Sequence, residues 1–295
     1  RLEDVIQQIV AGANRMVNES VPIADARLSD GSRVNVVLYP VALNGPVVTI
    51  RKFPSEQITM QDLVRLGALS EETAGFLKML VVAGYNIFIS GGTGSGKTTL
   101  LNALSQFIPS EERVITIEDN AELQIQGVPN LVRMEAKNPN MEGAGEITIR
   151  QLIRTALRMR PDRIIVGEVR GAETIDMIQA MSTGHKGSLS PRDMLRRLES
   201  MVLMGMDIPL AAIQRQIASA IDIIIHVGRL RDKSRKVLEI VEVLDYEDGE
   251  IQTGCLYEFQ ETKCRRTDGV IEGRWQKVRP LLHTEKLLSA GYQTP

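Results

Sequence analysis

One segment constrains this chain more than any other: Gly91-Gly92-Thr93-Gly94-Ser95-Gly96-Lys97-Thr98. It fits the spacing G-x-x-x-x-G-K-[ST], and its flanks give that spacing a physical meaning. An apolar, strand-like run at 87–89 leads into it, and an amphipathic segment with Leu100, Leu101, Leu104 and Phe107 on one side leads out. Glycines let successive backbone N–H groups turn inward around a phosphate, and the start of the following helix adds its partial positive charge. In that geometry Lys97 reaches the β- and γ-phosphates of a nucleotide and the Thr98 hydroxyl ligates Mg²⁺. Gly91, Gly92, Thr93, Gly94, Ser95, Gly96, Lys97, Thr98 and Thr99 are therefore the expected binding set, with ATP and Mg²⁺ as the expected cofactors. The competing reading is a glycine-rich turn with an incidental lysine. The strand before and the helix after weigh against it.

The rest of the chain is organised around this unit. From residue 63 onward, helical patterns alternate with apolar runs at 86–90, 113–117, 163–166, 221–227 and 237–244. Such alternation predicts an α/β fold: a largely parallel sheet covered by helices on both faces. Residues 1–53 read differently. A helix is expected over 1–18, with Val5, Ile6, Ile9 and Val10 on one side, followed by strands at 24–28 and 33–38 around an Asp30-Gly31 hairpin turn. A third strand is expected at 46–53. The expectation is a small, partial α+β domain (1–53), a polar linker or hinge (54–62, PSEQITMQD), and an ATPase domain (63–295).

Composition excludes several alternatives. Thirty-five basic and thirty-seven acidic side chains give a net charge of −2, which speaks against a protein built to coat nucleic acid or anionic lipid. No apolar run approaches the ~18–20 residues of a membrane span, and no secretory signal opens the chain. Two cysteines, Cys255 and Cys264, are too few for a disulfide scaffold or a four-cysteine zinc site; a reducing cytoplasm is the expected compartment. The chain does not open with Met, so Arg1 is expected to be internal to a longer protein.

Two more strand ends carry carboxylates. The run 163–166 continues into Gly167-Glu168. In an open parallel sheet, ligands bind beyond the carboxyl ends of strands, so Glu168 is placed to hold Mg²⁺, directly or through water. The alternative is a solvated acid after a buried strand. The strand near 114–117 ends in Glu118-Asp119-Asn120-Ala121-Glu122. There, one carboxylate can orient or deprotonate the water that attacks a phosphate. Asp119 and Glu122 also have capping-box spacing, which would only start a helix. Arg150, Arg154, Arg158, Arg160, Arg163 and Arg170 crowd the region of the second strand. They suit a subunit boundary near phosphate, although a surface ion pair is the ordinary fate of any one of them.

The stretches GGTGSGKTT, VITIEDNAELQ, RMRPDRIIVGEVRGAE and MSTGHKGSLS, in this order, resemble the secretion-superfamily ATPases, the motors of type II secretion, type IV pili and type IV secretion. PIADARLSDGSRVN, VVTIRKF, EGAGEITIRQLIRTALRMRPDR and PRDMLRRLESMVLM are more specifically similar to the CpaF/TadA-type ATPases of Tad (Flp) pili. The likeness runs over nearly the whole chain. It implies a RecA-like C-terminal domain joined to an N-terminal domain and assembled as a hexameric ring. That ring would hydrolyse ATP at the cytoplasmic face of the inner membrane, against a membrane platform protein and without a specific nucleic-acid partner. It further implies catalytic roles for Lys97, Glu122 (the acidic position of the Asp box), Glu168 (the Walker B carboxylate) and His185 (the first His of the His box). Arg33 and Arg51 fall on arginines that approach nucleotide phosphate as the two domains close. The family continues past the GSLS stretch with several residues, a second His among them, before PRD. Here Ser190 meets Pro191 directly, so the expectation is that residues are missing at this junction.

Overall fold

The computed structural model describes residues 2–12, 16–52, 57–137, 145–167, 174, 177, 191–203, 208–262 and 271–293. The chain divides into two compact units, Arg1–Gln57 and Ile58–Pro295.

In the first unit, helix α1 (Leu2–Gly12) buries Ile6 and Val10 in a small core with Val17, Ala24, Val34 and Val36. The helix is shorter than the sequence pattern predicts. Residues 16 and 17 are not helical, and Asn18 then turns the chain by accepting the Ser20 and Val21 amides at 2.9 Å. An Asn side chain offers its own backbone bonds in place of the helical ladder. Strands β1 (Ile23–Arg27), β2 (Arg33–Val37) and β3 (Val47–Arg51) form an antiparallel meander. Its first turn is built as the Asp-Gly pair predicts: Gly31 has φ of +86°, and the Asp30 carboxylate accepts the Ser32 amide and hydroxyl.

The second unit starts inside the stretch expected to be linker. Thr59 caps helix α2 (Met60–Arg65) through a complete capping box with Asp62. Helix α3 (Glu71–Val82), strand β4 (Ile87–Gly91), helix α4 (Lys97–Ser105), strands β5 (Val114–Glu118) and β6 (Leu131–Glu135), helix α5 (Ile149–Ala156) and strand β7 (Arg163–Val166) follow. After helices α6 (Pro191–Leu203) and α7 (Leu210–Ala220) come strands β8 (Ile223–Arg229), β9 (Arg235–Glu247), β10 (Glu250–Glu261) and β11 (Gly273–Lys277), then helix α8 (Glu285–Ser289).

One sheet has the order β6-β5-β7 and is wholly parallel. The other has the order β11-β10-β9-β8-β4; only β4–β8 is parallel. The expectation of a largely parallel sheet therefore holds only up to β8. Beyond it the connections are too short for a crossover, and short connections permit only antiparallel pairing. The β9–β10 link is Asp248-Gly249, both with positive φ, a two-residue hairpin turn.

Helices do cover both faces. Consecutive strand residues enter two different cores: Phe88, Ile164, Val166 and Ile224 one, Ile89, Ile165, Ile223 and Ile225 the other. Side chains alternate across a strand, so two apolar cores mean two buried faces. Among the described residues no helix is long and apolar enough to cross a membrane.

Candidate nucleotide-binding site

The glycine loop joins β4 to α4, and its shape depends on missing side chains. Gly91 has φ of +149° and lies against β8, so that a Cβ built there would sit 2.1 Å from the Val227 carbonyl oxygen. Gly94 and Gly96 have φ of +72° and +99°, where a Cβ is strained. Gly92 and Gly94 face open space. Lys97 is the first residue of α4, and its ammonium donates to the carbonyls of Gly91 (2.7 Å) and Gly92 (2.8 Å). The Ser95 hydroxyl is buried beneath the loop and makes no hydrogen bond among the described residues. An open glycine cradle, a lysine at a helix start, the Thr98 hydroxyl beside it and an orphaned buried hydroxyl together fit a polyphosphate with its cation.

Two neighbours of the loop carry no signal in the sequence. Arg235, at the start of β9, donates its Nε to the Gly94 carbonyl at 2.8 Å, and its Cδ lies 3.3 Å from a Cβ built on Gly96. His226 on β8 places Nδ1 3.1 Å from the hydroxyl of Ser90, the residue before the loop. Both are brought in by the β4–β8–β9 pairing across more than a hundred residues of chain, a distance no local pattern spans.

The Glu118–Glu122 segment leaves the carboxyl end of β5. No helix starts there; residues 121–126 are irregular. The Glu122 amide is received by Glu118 at 2.6 Å, and the capping-box reading of Asp119 and Glu122 is overturned, because the buried Glu118 carboxylate holds the amides a helix would need. Glu122 itself is half-buried. Two residues later, the Gln124 amide donates to Asn102 Oδ1 on α4 at 3.1 Å, so the carboxylate loop is tied to the helix that starts at Lys97.

Strand β7 runs parallel to β5, with the Gly167 amide bonded to the Ile117 carbonyl at 2.7 Å. Glu168, Arg170, His185 and the Ser190–Pro191 junction lie outside the described residues. Of the arginines on this side, Arg163 is committed to structure. It pairs with Glu112 through Nε and through Nη2 (2.8 Å), and donates Nη1 to the Val81 carbonyl at 2.6 Å. Arg154 and Arg158 are exposed at and just beyond the end of α5, and Arg150 is half-buried in its first turn.

In the first unit, Arg33 stands directly opposite Arg51 on β3 and Arg27 on β1. Residues paired across strands share a face, and the alternate positions Val34 and Val36 point into the core. Three arginines thus line up across the outer face of this sheet. Arg27 of this row donates its Nε to the Gly31 carbonyl at 3.3 Å.

A glycine cradle between a parallel strand and a helix, within an α/β unit of two buried sheet faces, defines a RecA-like P-loop fold. The chain belongs to the Type II/IV secretion system protein family, whose model matches residues 1–289. It is 37% identical over 258 residues to a putative conjugal transfer protein of Mycobacterium tuberculosis, covering 83% of this chain and 72% of that one. It is 34% identical over 251 residues to the type IV secretion system protein PtlH of Bordetella pertussis, covering 74% of each. Among solved structures, the VirB11 ATPase from the Brucella suis type IV secretion system, in complex with sulphate, superposes with a TM-score of 0.52 at 28% identity. That match covers 81% of this chain and 82% of that one.

Proposed function

We propose that this chain is an ATP-hydrolysing motor of a membrane-associated secretion or pilus machine. The observation that carries the reading is the physical joint between the P-loop helix and the carboxylate loop, made by Asn102 and the Gln124 amide. That joint supports a reading in which the phosphate cradle and a water-handling carboxylate work together. The phosphates of ATP lie in the 91–98 loop, and Lys97 exchanges its two carbonyl partners for phosphate oxygens. Thr98 and Glu168 would hold Mg²⁺, which supplies neutralisation of phosphate charge. Glu122 orients or deprotonates the water that attacks the γ-phosphate. His185 follows the phosphate state, and Arg33 and Arg51 are further candidate phosphate ligands.

The finer assignment is a hexameric ring at the cytoplasmic face of the inner membrane, working with a platform protein to assemble, or also retract, a Tad/Flp-type pilus. Its support is the specific motif likeness described above. A second reading fits about equally: the ATPase of a type IV secretion or conjugal-transfer system, because the named relatives are such proteins. A nucleic-acid translocase is the remaining alternative, disfavoured by the near-neutral charge. ATPase assays with each candidate membrane platform protein separate the first two, since only the cognate platform stimulates turnover; salt-dependent DNA binding would revive the third.

Two outcomes test the core of the proposal. Glu122→Gln should bind ATP as wild type does and turn it over about 100-fold more slowly, the usual effect of losing a positioned acid–base group. Turnover within a few-fold of wild type removes Glu122 from the chemistry. Light scattering at micromolar protein with a saturating Mg-ATP analogue should show a closed oligomer, six subunits being expected. The exposed arginines of α5 would then lie at subunit boundaries, and nucleotide would shift assembly by mass action. A monomer under those conditions overturns the ring.

A further inference from the structure

Glu118 has no part in the scheme above, yet it is built into the structure with care. Its side chain is only 2% exposed at the end of β5, and a carboxylate that deep is costly unless hydrogen bonds receive it. Its Oε2 accepts the amides of Glu122 at 2.6 Å and Leu123 at 2.8 Å. The neighbouring amides are received in the same way. Ala121 donates to Glu135 Oε1 of β6 at 3.1 Å, and Gln124 to Asn102 Oδ1 of α4 at 3.1 Å. Four consecutive amides, 121 to 124, are thus each held by a side-chain oxygen, drawn from β6, β5 and α4. On its other side Glu118 fills the space a side chain at Gly167 would take: a Cβ there would sit 2.8 Å from Glu118 Cγ.

We propose that Glu118 is a positioning residue. Its carboxylate fixes the backbone that carries Glu122, and its packing against Gly167 ties that backbone to the exit of β7, one residue before Glu168. The inference rests on the reading of Glu122 as the group that handles the attacking water. Glu118 acts through Glu122 and does not touch substrate. Its bonds go to main-chain amides, so a neutral acceptor of the same shape should preserve much of the effect, whereas truncation should not. Charged acceptors bond more strongly than neutral ones, so Gln restores the geometry incompletely.

The test uses the full chain with Glu118→Ala, Glu118→Gln, Glu122→Gln and the double variant Glu118→Ala/Glu122→Gln. Steady-state ATP hydrolysis, binding of a fluorescent ATP analogue and amide hydrogen exchange are measured. Glu118→Ala should lower kcat by about 10- to 100-fold, the scale of misplacing a reacting group by an ångström. KM and analogue affinity should stay within about threefold, since the P-loop is untouched. Glu118→Gln should recover most of the loss, and it carries the test if the alanine variant does not fold.

In the Glu122→Gln background, Glu118→Ala should cost less than about twofold more, because the group it positions is already disabled. Exchange of the Glu122 and Leu123 amides should rise at least about tenfold while the β5 amides stay protected. Wild-type turnover in Glu118→Ala beside an impaired Glu122→Gln overturns the positioning role and leaves the Glu122 reading intact. A full multiplicative loss in the double variant overturns it too, as does exchange rising throughout β5. Wild-type turnover in Glu122→Gln removes the underlying reading instead.

Discussion

Lys97→Ala should abolish tight ATP binding. Lys97 is the only cation within the 91–98 loop, and its ammonium already reaches two loop carbonyls at 2.7 and 2.8 Å. A phosphate seated in the cradle competes for the same ammonium with a full negative charge. Hydrogen bonds to charged partners contribute about 1.5–3 kcal/mol each, so losing two of them predicts a loss of roughly 3–6 kcal/mol in binding. That corresponds to an affinity about 10²–10⁴-fold weaker. Hydrolysis should fall at least as far, because the same charge stabilises the transferred phosphoryl group. Titration with a fluorescent ATP analogue measures the first effect, and phosphate release the second. The fold should survive: Lys97 is half-buried, at the start of a helix whose packing comes from Leu100, Ala103 and Leu104. Lys97→Arg should not rescue, because a planar, branched guanidinium replaces a compact ammonium in a cradle lined by backbone. Affinity within threefold of wild type for Lys97→Ala would leave the loop a structural turn.

How much of this was visible in the sequence follows from which contacts are local. The glycine loop was legible because a phosphate cradle is one continuous run of backbone, and the glycines, lysine and threonine that make it must be neighbours in the chain. The Asp30-Gly31 hairpin was legible for the same reason, as is the Asp248-Gly249 turn, which marks the antiparallel β9–β10 pairing. The contacts made by Asn102, Arg235 and His226 depend on strand order, which periodicity does not encode. The segment after β5 shows the opposite failure. Asp119 and Glu122 have the spacing of a helix start, a valid local signal, but the buried Glu118 carboxylate nearby and the more distant Glu135 and Asn102 side chains claim the backbone first. Local preference yields where tertiary partners bind the same donors. In the first unit, Arg33 and Arg51 face each other across the β2–β3 ladder, a juxtaposition that strand register decides and no local pattern announces.

Gly91→Ala is the substitution the geometry forbids most clearly, and it should damage both folding and binding. A Cβ at this position would lie 2.1 Å from the Val227 carbonyl oxygen, 2.7 Å from Ser95 Oγ and 2.9 Å from Val227 Cγ2. The first of these is backbone in the neighbouring strand, paired in register with Gly91 itself, so no side-chain rotation relieves it. Either the β4–β8 pairing opens at its end or the loop swings away from β8. The φ of +149° adds a second cost, since residues with a Cβ rarely adopt it. Overpacking costs about 1–3 kcal/mol and a disfavoured backbone conformation about 1–3 kcal/mol, which together predict roughly 2–6 kcal/mol. Stability and function share this sum, because moving the loop to relieve the clash misaligns the amides that would face phosphate. Denaturant unfolding should therefore show a lower midpoint, and whatever folded protein remains should bind nucleotide at least about tenfold more weakly, as 1.4 kcal/mol of misalignment suffices for that. Gly92→Ala is the control: a Cβ there meets nothing within 4 Å and its φ lies outside the forbidden range. It should leave the unfolding midpoint unchanged. Equal midpoints for both variants would mean that Gly91 does not abut β8 as described, and that the cradle owes its shape to the loop sequence alone.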